Sequence, residues 1–392
     1  MSSKRSALSI SYMGTKRRLA PTVAALAEQS AAGPLLDLFS GMCSVARAVS
    51  AQRSVWTNDL QLFASNYGAA LVAGGNPSIS LINDVVRYVT NSRASLPIMV
   101  EKASRKERQL LDECNVTELA GFNASLEHEL SSCAEQLYFS AIYSGSYLGL
   151  EQCIELDAIR AWIDTIECKV NQRWALIALC AAVFRCSTST GHFAQYLKPK
   201  PSNLTYYQRK RRRSLLNDWV EAYMSCKPLR SKAWRKSNKA FNEDAITLLK
   251  HIRDRSERPS VLYADPPYTR DHYSRYYHLY ETVWLNDKPN TRGVGRCRDD
   301  VAPSCFSLKS KVASAMHELI DLSAEIGADL IMSYPTNGIY VDADKHLLNR
   351  LRDRYRNVRI ERIQGEHSTL GASKGTERNA VTELLFLARG AR

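Results

Sequence analysis

A chain of 392 residues with 45% hydrophobic content is long enough for a full α/β core and a second module. No apolar run approaches a membrane span and no secretory leader pattern opens the sequence, which sets aside membrane-embedded and exported classes and favours a cytoplasmic protein. Ten cysteines without a Cys-x-x-Cys or paired-histidine spacing read as reduced, mostly buried thiols rather than a zinc site, so no metal is expected. The net charge of +13 is uneven: residues 198–240 hold 13 Lys/Arg against Asp218 and Glu221, while residues 101–197 carry 13 acids and 8 bases. A polyanion-binding surface is therefore expected in one segment.

The chain opens with Leu8-Ser9-Ile10-Ser11-Tyr12-Met13-Gly14-Thr15-Lys16, followed by helical spacing through Leu19, Val23 and Leu26. A Gly-x-Lys loop before a helix offers N–H groups and an ammonium to a carboxylate, although a solvated lysine at the start of a helix has the same pattern. Next, Leu35-Leu36-Asp37-Leu38-Phe39-Ser40-Gly41-Met42-Cys43-Ser44-Val45 reads as a strand, a glycine turn and a helix. A second short strand, Val55-Trp56-Thr57, leads to Asn58-Asp59. Asp59 stands 22 residues after Asp37, where an acid ending the second strand of a nucleotide-binding βαβ unit meets ribose hydroxyls. The turn lacks the full glycine pattern for a pyrophosphate. A nucleoside cofactor without phosphates fits better, and S-adenosylmethionine is the natural candidate; an ordinary βαβ unit is the alternative.

Residues 90–197 have helical periodicity over Glu135 to Tyr143, Ile154 to Ile166 and Trp174 to Phe184. The tract Ser187 to Tyr196 then breaks the pattern and suits a loop near a nucleotide, with His192 given no role. In the basic segment, Tyr206-Tyr207-Gln208 precedes Arg209, Lys210, Arg211, Arg212 and Arg213. Aromatic residues interleaved with cations favour phosphate-backbone contact over a solvated charged face.

Val261-Leu262-Tyr263-Ala264-Asp265-Pro266-Pro267-Tyr268 is the stretch richest in chemistry. A buried strand is stopped by two prolines, which leaves an aspartate, a rigid turn and an aromatic ring at a carboxyl sheet edge. That set suits transfer to a poorly nucleophilic nucleobase amine. Asp265 and the Pro266 carbonyl would accept its N–H bonds while Tyr268 stacks on the base. Tyr273, Tyr276, Tyr277, His278, Tyr280 and Trp284 follow, divided between helix packing and a pocket wall for an extruded base. An amphipathic helix from Val312 to Ile326 is closed by Gly327, Leu330–Tyr334 is a strand, and Val358–Ile363 with Val381–Leu387 reads as a closing antiparallel pair.

Tyr12-Met13-Gly14-Thr15-Lys16, Asp37-Leu38-Phe39-Ser40-Gly41, Asn58-Asp59-Leu60, a long insert and Asp265-Pro266-Pro267-Tyr268 together resemble the Dam-like (D12-class) DNA adenine N6-methyltransferases over roughly residues 8–70 and 240–390. The resemblance implies that Tyr12, Met13, Gly14 and Lys16 contact the methionine end of S-adenosylmethionine. Asp37 would face its amino group in a turn with Phe39, Ser40 and Gly41, Asp59 its ribose and Asp244 its adenine. Asp265, Pro266, Pro267 and Tyr268 would form the catalytic tract. Where the family usually has glycine, this chain has Cys43.

The implied fold is a doubly wound, Rossmann-like α/β methyltransferase domain in two pieces, residues 1–89 and 239–392. A mostly helical target-recognition insert, residues 90–238, would separate them. The implied activity is site-specific methylation of adenine N6 in duplex DNA after base flipping. Cytosine N4, an RNA base, or DNA binding without turnover stand as alternatives. The implied partners are DNA and a cognate restriction nuclease or other defence proteins.

Overall fold

Pro34 precedes one fully buried stretch and Pro266 follows another shortly after Ala264; in a computed structural model of the chain these stretches are the centre of a sheet. The structure describes residues 8, 10, 12, 16–270, 273–300, 304–368 and 378–392. It divides into a sheet unit (Tyr12–Gly75, Pro228–Ser274, Val301–Arg392) and a helical unit (Asn76–Lys227 and Arg275–Asp300, with the described residues of Met1–Ser11).

The unit limits depart from those expected at 89/90 and 238/239, for local reasons. The helix Leu81–Arg93 packs with Leu150–Asp164, so residues 76–89 join the helical unit. The segment after Pro228 returns to the sheet unit: Leu229 N–H donates to Leu71 O at 2.8 Å, Trp234 Nε1 to Arg53 O at 3.1 Å, and Asn238 Oδ1 accepts from Val55 N–H at 2.8 Å.

In chain order the strands are β1 (Leu35–Asp37), β2 (Val55–Asn58), β3 (Ala240–Phe241), β4 (Val261–Ala264), β5 (Thr291–Arg292), β6 (Cys297–Arg298), β7 (Asp329–Pro335), β8 (Tyr355–Ser368) and β9 (Arg378–Ala391). Among the described residues, those of the sheet unit pair in the order β3-β2-β1-β4-β7-β9-β8. β3 through β7 are parallel neighbours, and β9 is antiparallel to both β7 and β8. The expected closing pair is therefore present, longer than its apolar residues alone suggested. Succession leads outward from β1 to β2 and β3 on one side, and from β4 to β7 on the other. The order therefore reverses between β1 and β4, the point where open α/β sheets hold ligands.

Side-chain alternation sorts the two faces. Leu36, Leu38, Leu262, Ala264, Leu330, Met332, Leu384 and Phe386 join one buried core with the helices Ala245–Arg253, Val312–Ile326 and Ala343–Arg354. On Val312–Ile326 the spacing of Val312, Met316, Leu319 and Ile320 turns one stripe inward, each fully buried side chain contributing about 1.5–3 kcal/mol. Gly327 ends that helix at φ +82°, and its N–H caps Ala324 O. The other face carries Asp37, Tyr263, Ser333 and Glu383 by the same alternation.

The helical unit includes the helices Ile98–Glu113, Leu150–Asp164, Lys169–Cys186 and Leu215–Met224, the greater part of Tyr273–Leu285, and the β5–β6 hairpin. Trp219 anchors its interior: it meets Trp162 edge-on at 5.6 Å and stacks on Tyr223 at 4.7 Å, while its Nε1 donates to Ala175 O. No helix among the described residues is long and apolar enough to cross a membrane.

Candidate active site

Because β1 and β4 are parallel neighbours with Asp37 in register with Tyr263, the acid that ends β1 approaches the Asp265 that follows β4. β7 continues the same edge: Ser333 Oγ donates to Asp265 Oδ1 at 3.0 Å and pairs with Tyr263 Oη at 3.0 Å. From the start of the sheet unit, Lys16 Nζ lies 3.0 Å from Asp265 Oδ1 and 3.0 Å from Glu383 Oε1 on β9. It also stands 5.4 Å from the centre of the Tyr268 ring.

All three charged side chains are withdrawn from solvent. Burial alone would discharge Lys16, but the adjoining Asp265 and Glu383 carboxylates outweigh it and hold the ammonium above its ordinary range. Burial raises Asp265 above the ordinary carboxylate value, while Lys16 pulls against that shift. Tyr268 is pushed up to about 12, again chiefly by burial, and so remains a neutral ring. Its carbonyl accepts Ile339 N–H at 3.0 Å, which fixes the turn after Pro266 and Pro267.

The turn after β1 is equally closed. Asp37 is almost fully buried, and its Oδ1 has no hydrogen-bond partner among the described residues. Burial, then the neighbouring Asp265 and Asp59 carboxylates, push its pKa well above the ordinary carboxylate value. Gly41 adopts φ +43°, and a Cβ there would stand 2.8 Å from the Tyr12 ring, so both conformation and space require glycine. Phe39 meets Phe306 edge-on at 5.3 Å.

Cys43, the departure seen in the sequence, adopts the left-handed conformation at φ 57°. Its buried thiol packs beside Gly68, where a Cβ would make an ordinary contact with Sγ at 3.5 Å. Burial, with Asp37 nearby, raises that thiol's pKa, so it packs as a neutral group.

Two expected cofactor contacts also serve the scaffold. Asp59 Oδ2 accepts Gly41 N–H at 2.8 Å and Oδ1 accepts Gln61 N–H at 2.9 Å, tying the β1 turn to the end of β2. Burial pushes Asp59 up to about 6 despite those bonds. Asp244 caps the helix Ala245–Arg253, its Oδ1 accepting from Ile246 and Thr247 N–H. Met13 and Gly14 lie outside the described residues.

The sequence reading passed over Tyr263, Ser333 and Glu383. Glu383 had a usable signal: an acid inside the apolar run Val381-Thr382-Glu383-Leu384-Leu385.

In the helical unit the five cations expected to contact phosphate, Arg209 to Arg213, do not form one surface. The helix Leu204–Arg211 turns successive cations in different directions. Arg211 is buried, donating to Leu148 O, Ser146 O and Thr188 Oγ1 and facing Glu107 at 3.7 Å. Arg213 pairs with both carboxylate oxygens of Asp218 through Nε and Nη2, Lys210 Nζ donates to Arg185 O at 2.6 Å, and Arg212 pairs with Asp112 at 2.8 Å. Arg209 is exposed, 5.5 Å from the Tyr206 ring centre. Of the aromatic cluster, Tyr277, His278 and Tyr280 are core residues. Tyr276 lies 4.7 Å from the His192 ring.

Comparison with known proteins agrees with this geometry. Modification methylase StsI of Streptococcus sanguinis is 25% identical over 347 residues, 85% of this chain and 45% of that protein. The Type II methyltransferase M.FokI of Planomicrobium okeanokoites is 31% identical over 109 residues, 28% of this chain and 16% of that protein. Modification methylase LlaI of Lactococcus lactis subsp. lactis is 22% identical over 309 residues, 77% of this chain and 42% of that protein. The chain thus spans less than half the length of the curated relatives it matches. Residues 123–333, more than half of the chain, match the profile of one family. That range takes in Asp265–Tyr268 and Ser333 as well as most of the helical unit, which the motifs alone had left outside the resemblance. With a reversed-order parallel sheet, an Asp-Pro-Pro-Tyr turn at its switch point and this match, the chain belongs to the D12 class of N6 adenine-specific DNA methyltransferases.

Proposed function

We propose that the chain methylates N6 of adenine at a specific site in duplex DNA, with S-adenosylmethionine as donor. The observation that carries this reading is a buried, unsatisfied Asp37 oxygen at the end of β1 beside the Asp265 that follows the adjacent β4. An orphaned buried carboxylate oxygen costs about 1–3 kcal/mol, and a donor group in the β1 turn would satisfy it. The fit is chemical: Asp37 accepts the ammonium of the cofactor, Gly41 lets the backbone turn close without a side chain, and Phe39 with Phe306 gives an apolar wall for its base. Asp59 and Asp244 retain one role each toward ribose and adenine beside their bonds to the scaffold.

S-adenosylmethionine supplies a methyl group already activated by its sulfonium. The protein's part is positional and electrostatic. Lys16 and Ser333 hold Asp265 through Oδ1, leaving Oδ2 as the oxygen to accept an N–H of the target amine. The Pro266 carbonyl accepts the second N–H. With both bonds made, the nitrogen lone pair is drawn out of conjugation toward the methyl group. Tyr268 stacks on the extruded base, whose unstacking costs a few kcal/mol.

The helical unit, residues 76–227 with 275–300, serves in this reading as the target-recognition domain, and Arg209 beside Tyr206 is its leading phosphate contact. A modification role fits the names of the relatives, and a cognate nuclease and a cytoplasmic setting belong to the same reading. The test is single-turnover methyl transfer to an adenine-containing duplex. Asp265→Asn is expected to lower the chemical step by at least ~10²-fold, with cofactor and duplex affinity changed no more than a few-fold. Equal turnover in the wild type and Asp265→Asn would overturn the assignment.

A further inference from the structure

We infer that Glu383, on β9, is a positioning residue for the methyl-transfer step, acting on Asp265 through Lys16; this rests on the function proposed above. Glu383 is paired with Pro335, and Leu385 with Ser333, across β7 and β9. Alternation sends Glu383 to the face that also carries Ser333, Tyr263 and Asp37. An acid on that face of a buried strand is costly unless a cation meets it. Lys16 does, at 3.0 Å, and the same Nζ reaches Asp265 at 3.0 Å.

A single ammonium therefore lies between two buried carboxylates, and sharing it has a consequence for the reaction. A lysine given wholly to Asp265 would neutralise the negative charge that polarises the amine. A lysine given wholly to Glu383 would leave Asp265 free to rotate about its side-chain torsions. Held by both, Lys16 fixes Asp265 Oδ1 in place while only part of its charge is directed at that carboxylate. Ser333 completes the clamp with a neutral donor, itself braced by Tyr263. Oδ2 then keeps both the orientation and the electron density required to accept an N–H. Glu383 touches neither the amine nor the methyl group in this arrangement, so its effect passes through Lys16.

The experiment measures single-turnover methyl transfer on a duplex, with cofactor and duplex affinities titrated separately, for Glu383→Gln, Lys16→Met and the double variant. Glu383→Gln keeps the shape and an acceptor but removes the charge. Its expected effect is a loss of about 10-fold in the chemical step, below the ~10²-fold for a directly acting partner, with both affinities within about 3-fold. Because the action passes through Lys16, the double variant is expected to be no slower than Lys16→Met alone. Multiplicative losses in the double variant, an unchanged chemical step, or a loss confined to cofactor affinity would each overturn the inference. If Glu383→Gln does not fold, Glu383→Asp takes its place, keeping the charge and shortening the reach by one methylene; the same rate loss and the same non-additivity with Lys16→Met are expected. Failure of the underlying function is read separately, since the wild type would then transfer no methyl group to adenine.

Discussion

Replacing Arg211 tests whether the basic run is a surface or part of the core. The substitution to make is Arg211→Met, which keeps much of the aliphatic bulk and removes the guanidinium. That group donates to two carbonyl oxygens and a threonine hydroxyl and faces Glu107, which is itself buried. Without it, Glu107 keeps its bonds from Leu150 and Glu151 N–H but loses its counter-charge. Breaking a buried pair on one side costs roughly 3–5 kcal/mol, more than most single substitutions and a large share of a domain's total stability. The assay is urea unfolding followed by intrinsic fluorescence, with duplex binding measured against salt for every variant that folds. Arg211→Met is expected to shift the midpoint strongly downward. Arg209→Gln should leave it in place and flatten the slope of log K against log salt by up to ~0.9, the value of one phosphate contact. Normal stability in Arg211→Met combined with a flattened salt slope would refute the division of the run.

Two further outcomes follow from the sheet unit. Asp265 must be ionised to accept an N–H, and burial holds its pKa above the ordinary 3.8; protonation on lowering pH therefore removes active enzyme earlier than for an exposed acid. At saturating cofactor and DNA, kcat should fall on an acid limb well above ~4, losing about tenfold per pH unit; a flat profile down to about pH 5 would contradict the assigned protonation state. Cys43→Gly relieves a left-handed residue, worth about 1–2 kcal/mol. It also removes a buried thiol packed near Gly68, at roughly 1.5–2.5 kcal/mol, and adds unfolded-state freedom of about 0.5–1 kcal/mol. The variant should be less stable by about 1 kcal/mol in urea unfolding; a gain in stability would show that the thiol contributes no packing.

What the sequence made legible follows from the range of each interaction. The strand-turn signals at Asp37 and Asp265 are local, because prolines, glycine and apolar runs act on their own backbone, and both turns stand where those signals put them. Gly327 could likewise be read as a helix stop, since a left-handed cap is satisfied within its own turn. Asp59 was read at the end of the second strand, but its bonds to Gly41 and Gln61 N–H, like those of Asp244 to Ile246 and Thr247 N–H, depend on where those backbones come to rest. A run such as Arg209–Arg213 was the least legible feature. Arg209, Lys210 and Arg211 end a helix of about 3.6 residues per turn, where adjacent positions diverge by about 100°, so these consecutive cations cannot share one face.

Lys16 shows the same limit at the centre of the site. Its neighbours in sequence suggested a loop that offers an ammonium to a bound carboxylate. Its partners in space are two carboxylates of the protein, Asp265 249 residues later and Glu383 367 residues later. Neither pairing has a local signature, because each is fixed by strand order: β4, β7 and β9 must lie side by side before one lysine can reach both acids. The sheet's late, antiparallel β9 is thus more than a cover for the edge of β7. It brings a buried acid to a carboxyl edge built by parallel strands, where succession alone would have supplied Asp37 and Asp265 without a third charge. On the proposed function, the orientation of the Asp265 carboxylate consequently depends on the closing strand, and substitutions around Val381–Leu385 should influence the chemistry before they influence cofactor or DNA affinity.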